Sequence, residues 1–423
     1  MLAVLTVGCT SATTPTLSLR SRPAEKLVQP LRRLLSNAEA DAILGLLREH
    51  AERDFPGLQR LSVGQLPAGI WRLARARWPA EDSRAALGSR EERETLRLAA
   101  RASVLASASY SAFGALLVSW SPLRLLSTAW RLLWNLHRLH EAAFDIHVRP
   151  LGLRSSDLLH AQWRPTRDEG AGGPYTPAHY IVVDHAERAV MLVVRGSLDL
   201  SDVLTDLQVQ PSAREERLLG RGCHGGIARA ACGLAETHEA LLRRALREHR
   251  GYRLQLAGHS LGGGVASFAA LLLRRRLRGV DVRAFAFAPP CTLPRRESAR
   301  HDARIDAFVY ASDVVPRLSI GSLQMLVDGV KLAQGGGGDG GGAADVERRL
   351  ERHLLRCLRR PHHNTRYPPG RLHQLVRVRR GEHQLRRLRR CDLALLRMHH
   401  SMFRDHGFDR YQAALAGLTR EAA

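Results

Sequence analysis

Residues 252–270 read YRLQLAGHSLGGGVASFAA. The first six, 252–257, form a short apolar run with strand character; the run breaks at Gly258, and a small-residue helical pattern resumes after Gly262. Between the two lies Gly258-His259-Ser260-Leu261-Gly262, which fits G-x-S-x-G. In a nucleophile elbow a strand turns sharply into a helix with a serine at the tip, and glycines flank it because the turn crowds Cβ atoms. The helix that follows offers backbone N–H groups and the positive end of its dipole to a developing oxyanion. A chain with 36 glycines also meets the bare pentapeptide by chance, as a strand-to-helix turn without chemistry. The strand before it and the helix after it are what give this one weight.

Working outward, residues 180–183 and Ala189–Val194 are short apolar strands separated by a polar turn, Asp184-His185-Ala186-Glu187-Arg188. A helical pattern covers about 225–249. The elbow strand and its helix to Arg276 come next, then strands at 282–288, 305–311 and 372–378, with a last helix from about 409 to 418. Strands alternating with helices predict an α/β fold with a largely parallel sheet. Residues 335–342, GGGGDGGG, have linker composition, and a charged helical pattern follows at 345–359. The stretch 320–365 therefore reads as an insertion, either a lid or gate or a tolerated disordered segment.

Upstream of 150 no chemistry is legible. Residues 1–24 hold Ser, Thr and Arg and no acid, which suits an organelle transit segment or a disordered tail. Residues 25–150 read as a helical region. Its stretch 102–120 is uncharged but holds five serines, and 123–139 spaces Trp130 and Trp134 helically beside arginines. A buried helix pair or an interfacial helix fits these better than a membrane span.

Composition narrows the partners. The net charge of +23 rests almost wholly on arginine, since Lys26 and Lys331 are the only lysines. The excess is spread along the chain, with no localised patch and no nucleic-acid module, so a nucleic-acid partner is not predicted. A basic surface does favour an anionic membrane. The six cysteines show neither metal-ligand spacing nor a disulfide framework, which points to a reducing compartment.

An esterase needs a nucleophile, a base, an acid that orients the base, and oxyanion donors. In α/β-hydrolase sheets these run Ser, then Asp or Glu, then His. Asp313, at the end of the strand ending Tyr310-Ala311-Ser312, is placed to be the acid. The base must follow, and His353, His362, His363, His373, His383, His399, His400 and His406 are candidates. Asp199, Asp202 and Asp206 precede the nucleophile, so chain order argues against them.

Four segments resemble the class 3 lipases, the fungal-type triacylglycerol lipases, and most closely their sn-1 diacylglycerol lipase-like branch. They are Val193-Val194-Arg195-Gly196-Ser197 continued by Asp202-Val203-Leu204-Thr205-Asp206-Leu207; His224-Gly225-Gly226; Gly258-His259-Ser260-Leu261-Gly262-Gly263-Gly264; and Ser312-Asp313-Val314-Val315-Pro316-Arg317-Leu318-Ser319. The resemblance implies an α/β-hydrolase fold over 151–423. It makes Ser260 the nucleophile, Asp313 the triad acid, and Ser197 one side of the oxyanion hole; Leu261, next to the nucleophile, supplies the other N–H. Met402-Phe403-Arg404-Asp405-His406 with Tyr411 matches the branch's closing segment, which implies His406 as base, with His400 second. His259 is a packing position in that family, and Asp202 and Asp206 support the oxyanion loop. The animal branch carries an insertion regarded as regulatory near 320–365, and its four-helix membrane domain has no counterpart here.

The expected activity is serine-dependent hydrolysis of a glycerolipid acyl ester, diacylglycerol first and a phospholipid or galactolipid second, with no metal or cofactor. A non-catalytic lipid-binding protein and an acyltransferase are the other readings. A membrane surface is the expected partner, inside the cell, with a plastid suggested by the acid-poor start of the chain.

Overall fold

The computed structural model describes residues 72–73, 75–76, 84–85, 89–110, 139–167, 175–197, 210–334, 343–379 and 382–422. The targeting or disordered segment expected at 1–24, the helix expected around Trp130 and Trp134, Asp199, Asp202, Asp206 and the glycine run at 335–342 lie outside them.

Among the described residues nine strands form one sheet: β1 (Arg84–Ala85), β2 (Leu158–Gln162), β3 (His179–Asp184), β4 (Ala189–Val194), β5 (Arg253–His259), β6 (Val282–Phe287), β7 (Ile305–Tyr310), β8 (Arg371–Arg379) and β9 (Glu382–Arg387). Their order is β1-β9-β8-β7-β6-β5-β4-β3-β2. The five central strands, β4 to β8, are parallel and follow chain order; antiparallel strands finish both sides. This is the α/β-hydrolase arrangement. Central strands such as β4, Ala-Val-Met-Leu-Val-Val, are buried along their whole length, and so read as continuous apolar runs rather than alternating ones.

The helices are α1 (Arg90–Ala108), α2 (Leu139–Val148), α3 (Ala213–Leu219), α4 (Gly225–Glu248), α5 (Leu261–Arg276), α6 (Arg295–Ala299), α7 (Ile320–Gln334), α8 (Ala343–Arg359) and α9 (Phe408–Ala422). Because the parallel strands are laid down in one direction, right-handed crossovers put α4, α5, α7 and α8 on one face. The helices α1, α2 and α9 cover the other. Helix α5 is buried from Leu261 to Leu273, sandwiched between the sheet and α4. That explains its small and aliphatic residues on every side.

Helix α1 is started by a capping box: Ser89 Oγ accepts from Glu92 N–H and Glu92 accepts from Ser89 N–H, both at 3.1 Å. It is held to the turn after β3 by Arg101, which donates to both oxygens of the buried Asp184 at 2.6 and 2.8 Å, and by Arg97 on Glu187. Tyr180 Oη donates to the Leu105 carbonyl at 2.6 Å.

The stretch 320–365 is occupied by two helices. In α7, Leu323, Leu326, Val327 and Val330 are buried in the core on that side, where α7 packs on α8; in α8, Val346, Leu350, Leu354 and Cys357 form one apolar stripe while arginines fill the other faces. The elements β1, β2, β9, α3, α6 and α7 left no clear trace in the sequence.

Candidate active site

The elbow stands where β5 ends. Ser260 has φ 56° and ψ −130°, a conformation that costs a side-chain-bearing residue roughly 1–3 kcal/mol and persists only where its surroundings enforce it. Two close approaches enforce it here. A Cβ on Gly258 would lie 2.4 Å from the carbonyl of Gly262, and one on Gly262 would lie 2.3 Å from the carbonyl oxygen of Val194. The turn is tied to the next strand by Ser260 N–H donating to the Phe287 carbonyl at 2.8 Å.

His406 closes a short turn, Arg404–His406, before α9. Its Nε2 is 3.0 Å from Ser260 Oγ, and its Nδ1 is 3.1 and 3.0 Å from the two oxygens of Asp313. The carboxylate can only accept, so Nδ1 carries the proton and Nε2 is left to accept from the serine hydroxyl. Asp313 is wholly buried just past β7 and also accepts from Val315 N–H at 2.9 Å and from Tyr411 Oη.

Further groups hold the imidazole from behind. His259, inside the elbow, donates through Nε2 to the His406 carbonyl at 3.0 Å, and its Nδ1 lies 3.1 Å from Tyr110 Oη. The rings of His259 and His406 are 4.7 Å apart, centre to centre. Burial first, and His406 second, hold the His259 pKa well below the ordinary imidazole value, so this ring stays neutral. Asp405 accepts from Ser401 Oγ at 2.6 Å and from Ser312 N–H at 3.2 Å, which pins the turn before His406 to the end of β7.

Ser197 lies three residues beyond Val194, the register partner of Gly258 in the next strand. The backbone there runs against the elbow, since a Cβ on Gly196 would come 3.2 Å from Ser260 Cβ. Leu261 opens α5, so its N–H has no intrahelical acceptor. His224 caps α4, its Nδ1 accepting from Ile227 N–H at 3.4 Å.

The other candidate bases stand elsewhere. His353 bonds the Met325 carbonyl, His373 bonds Asp306, and His383 meets Tyr310 Oη. His362 and His363 face each other, as do His399 and His400. The sequence gives no sign of Tyr110: it lies in the middle of the uncharged stretch 102–120 and carries no local signal. Among the described residues one group of three histidines, His160, His179 and His238, has metal-ligand spacing, and it lies outside this hydrogen-bonded line.

Residues 191–322 match the class 3 lipase family model. Mouse (Mus musculus) diacylglycerol lipase-beta is 31% identical over 192 residues, covering 44% of this chain and 27% of that protein. Human (Homo sapiens) diacylglycerol lipase-alpha is 30% identical over 164 residues, covering 36% of this chain and 15% of that protein. The matched segment is thus similar to the class 3 lipases, and both relatives point to their diacylglycerol lipase-like branch. It spans about a quarter or less of the length of these curated relatives. Among solved structures, a Rhizomucor miehei lipase–propeptide complex aligns over 78% of this chain and 82% of its own, at 15% identity and a TM-score of 0.46. The matched segment takes in Ser197, Ser260, Leu261 and Asp313 but stops short of His406 and Tyr411. The place of His406 in the constellation therefore rests on its distances to Ser260 and Asp313.

Proposed function

We propose that this chain hydrolyses acyl esters of glycerolipids, diacylglycerol first, with Ser260 as nucleophile, His406 as general base and Asp313 as the acid that orients it. The observation that carries this reading is the unbroken line of hydrogen bonds from buried Asp313 through His406 to a serine held at positive φ. Ser260 Oγ attacks the ester carbonyl as its proton passes to His406 Nε2, and Asp313 stabilises the imidazolium. The N–H groups of Leu261 and Ser197 receive the oxyanion; losing one such donor typically costs about a hundredfold or more in rate. His406 then returns its proton to the departing alcohol, and water, activated by the same imidazole, releases the fatty acid from Ser260.

The relatives' names support diacylglycerol as substrate. A phospholipid or galactolipid acyl ester would undergo the same steps and differs only in head group. The reading includes contact with a membrane surface, supported by the net charge of +23. Among the described residues no helix is long and apolar enough to cross a membrane. The hydrolase unit in this reading takes in α1 and α2 as well as 151–423, because both helices share the core on the α9 face of the sheet.

A fluorophosphonate probe tests the chemistry without a choice of lipid. Labelling of the wild type that is lost in Ser260→Ala is the expected result. An unlabelled, folded wild type would favour a non-catalytic lipid-binding protein.

A further inference from the structure

Three histidines that are far apart in sequence meet near one side of the sheet. His160 lies on β2, His179 opens β3, and His238 lies in the middle of α4. In the register of β2 and β3, His160 pairs with Ile181, two residues along from His179, so both project toward α4. One ring nitrogen from each lies within 4.8 Å of the others.

Local bonding prepares them as ligands. His179 Nδ1 donates to the Pro177 carbonyl at 2.8 Å, which fixes its tautomer and turns the Nε2 lone pair into the cluster. A second hydrogen bond of this kind, from the outer ring nitrogen to a backbone carbonyl, is the usual support of a metal-bound histidine. His238 Nε2 stands 2.7 Å from His179 Nε2. His160 Nε2 is buried and has no hydrogen-bond partner among the described residues.

We propose that His160, His179 and His238 form a binding site for a first-row divalent metal ion, Zn²⁺ in the first place, with the fourth position open to water or an anion. Imidazole nitrogens suit zinc, and three of them with one open position make a familiar tetrahedral set. Zn–N bonds of about 2.0–2.1 Å put tetrahedral nitrogens about 3.3 Å apart. The His179–His238 pair therefore opens by roughly half an ångström, and His160 draws inward. The proton on His238 Nε2 moves to Nδ1 as the metal takes its place, so the neutral rings lose none. The ion would tie β2, β3 and α4 together. It would do so beside the oxyanion segment, because Arg195 N–H donates to the carbonyl of Ala178, next to His179, at 2.8 Å. The site does not depend on the hydrolase reading.

The test uses untagged full-length protein, stripped with a chelator, re-equilibrated at micromolar free Zn²⁺ and assayed for bound zinc by mass spectrometry, with Co²⁺ as spectroscopic probe. The expected result is one zinc per chain, a visible Co²⁺ band of four-coordinate type, and a Tm several degrees higher with zinc than without. His160→Gln and His238→Gln should each lose the zinc, the band and the zinc-dependent Tm shift. His160→Gln, at a half-buried strand position, should keep the metal-free Tm and circular dichroism of the wild type, which separates lost binding from lost folding. Wild-type protein that retains no zinc overturns the proposal. Zinc retained undiminished by both variants also overturns it, and moves the binding to other histidines such as the His362–His363 or His399–His400 pairs.

Discussion

The phenol of Tyr411 bridges the Asp313 carboxylate and the backbone of Tyr310: its hydroxyl donates to Asp313 Oδ2 and accepts from Tyr310 N–H at 2.9 Å. Tyr411 and Asp313 are both fully buried. Burial, with Asp313 in the same sense, pushes the Tyr411 pKa far up, so the ring remains a donor at any working pH. Tyr411→Phe removes a donor to the carboxylate and strands a buried N–H, at a cost of about 1–3 kcal/mol. The expected result is a lower Tm and a kcat on a short-chain ester reduced roughly tenfold, with KM little changed. An unchanged kcat would show that Tyr411 serves packing alone.

Asp313→Asn keeps the volume of the buried side chain but replaces a pure acceptor by a group that can present N–H to His406 Nδ1. The imidazole then turns its lone pair toward residue 313 and away from Ser260. A fall in kcat of about 10⁴-fold is expected, with the fold intact. Ester kinetics beside a thermal melt check both halves of the statement.

Gly258→Ala places a methyl 2.4 Å from the carbonyl of Gly262, where the contact is backbone and cannot swing away. The elbow must open, costing about 1–3 kcal/mol or more and misplacing Ser260. Urea unfolding should show a lower midpoint, and probe labelling of Ser260 should fall with it. Wild-type values in both would mean that the turn is looser than these contacts require.

Most of the fold was legible because its central strands announce themselves. Residues 189–194 are an uninterrupted apolar run, 253–257 carry Leu254, Leu256 and Ala257 ahead of the turn, and the glycines that follow suit a tight turn. Ser197 past β4, Ser260 past β5 and Asp313 past β7 all stand at the ends of parallel strands laid down in chain order, which brings them to one edge of the sheet. The edges were harder. Strand β9, Glu-His-Gln-Leu-Arg-Arg, buries only Leu385 fully and looks like loop. Helix α7 hid beside the glycine run, which made its neighbourhood read as linker. Tyr110 and the three-histidine cluster depend on contacts across more than 50 positions in sequence, which no local pattern encodes.

The cap of α4 should carry a pH signature. Burial lowers the His224 pKa to about 4 in the folded chain, against an ordinary value of about 6.5. Between these values the unfolded chain binds a proton that the folded one refuses, so this contribution to stability is full above about pH 6.5 and is lost as pH falls toward 4. His224→Asn still offers an acceptor to Ile227 N–H but cannot titrate. Its Tm should fall less steeply than that of the wild type across that window. An identical slope would contradict the assignment.

The central claim is tested most directly by measuring fatty-acid release from vesicles of diacylglycerol, phosphatidylcholine and galactolipid, with wild-type protein and with Ser260→Ala. The prediction is release from diacylglycerol by the wild type and none above background by the variant. Release that persists in folded Ser260→Ala, or no release from any of the three lipids by folded wild type, would contradict it.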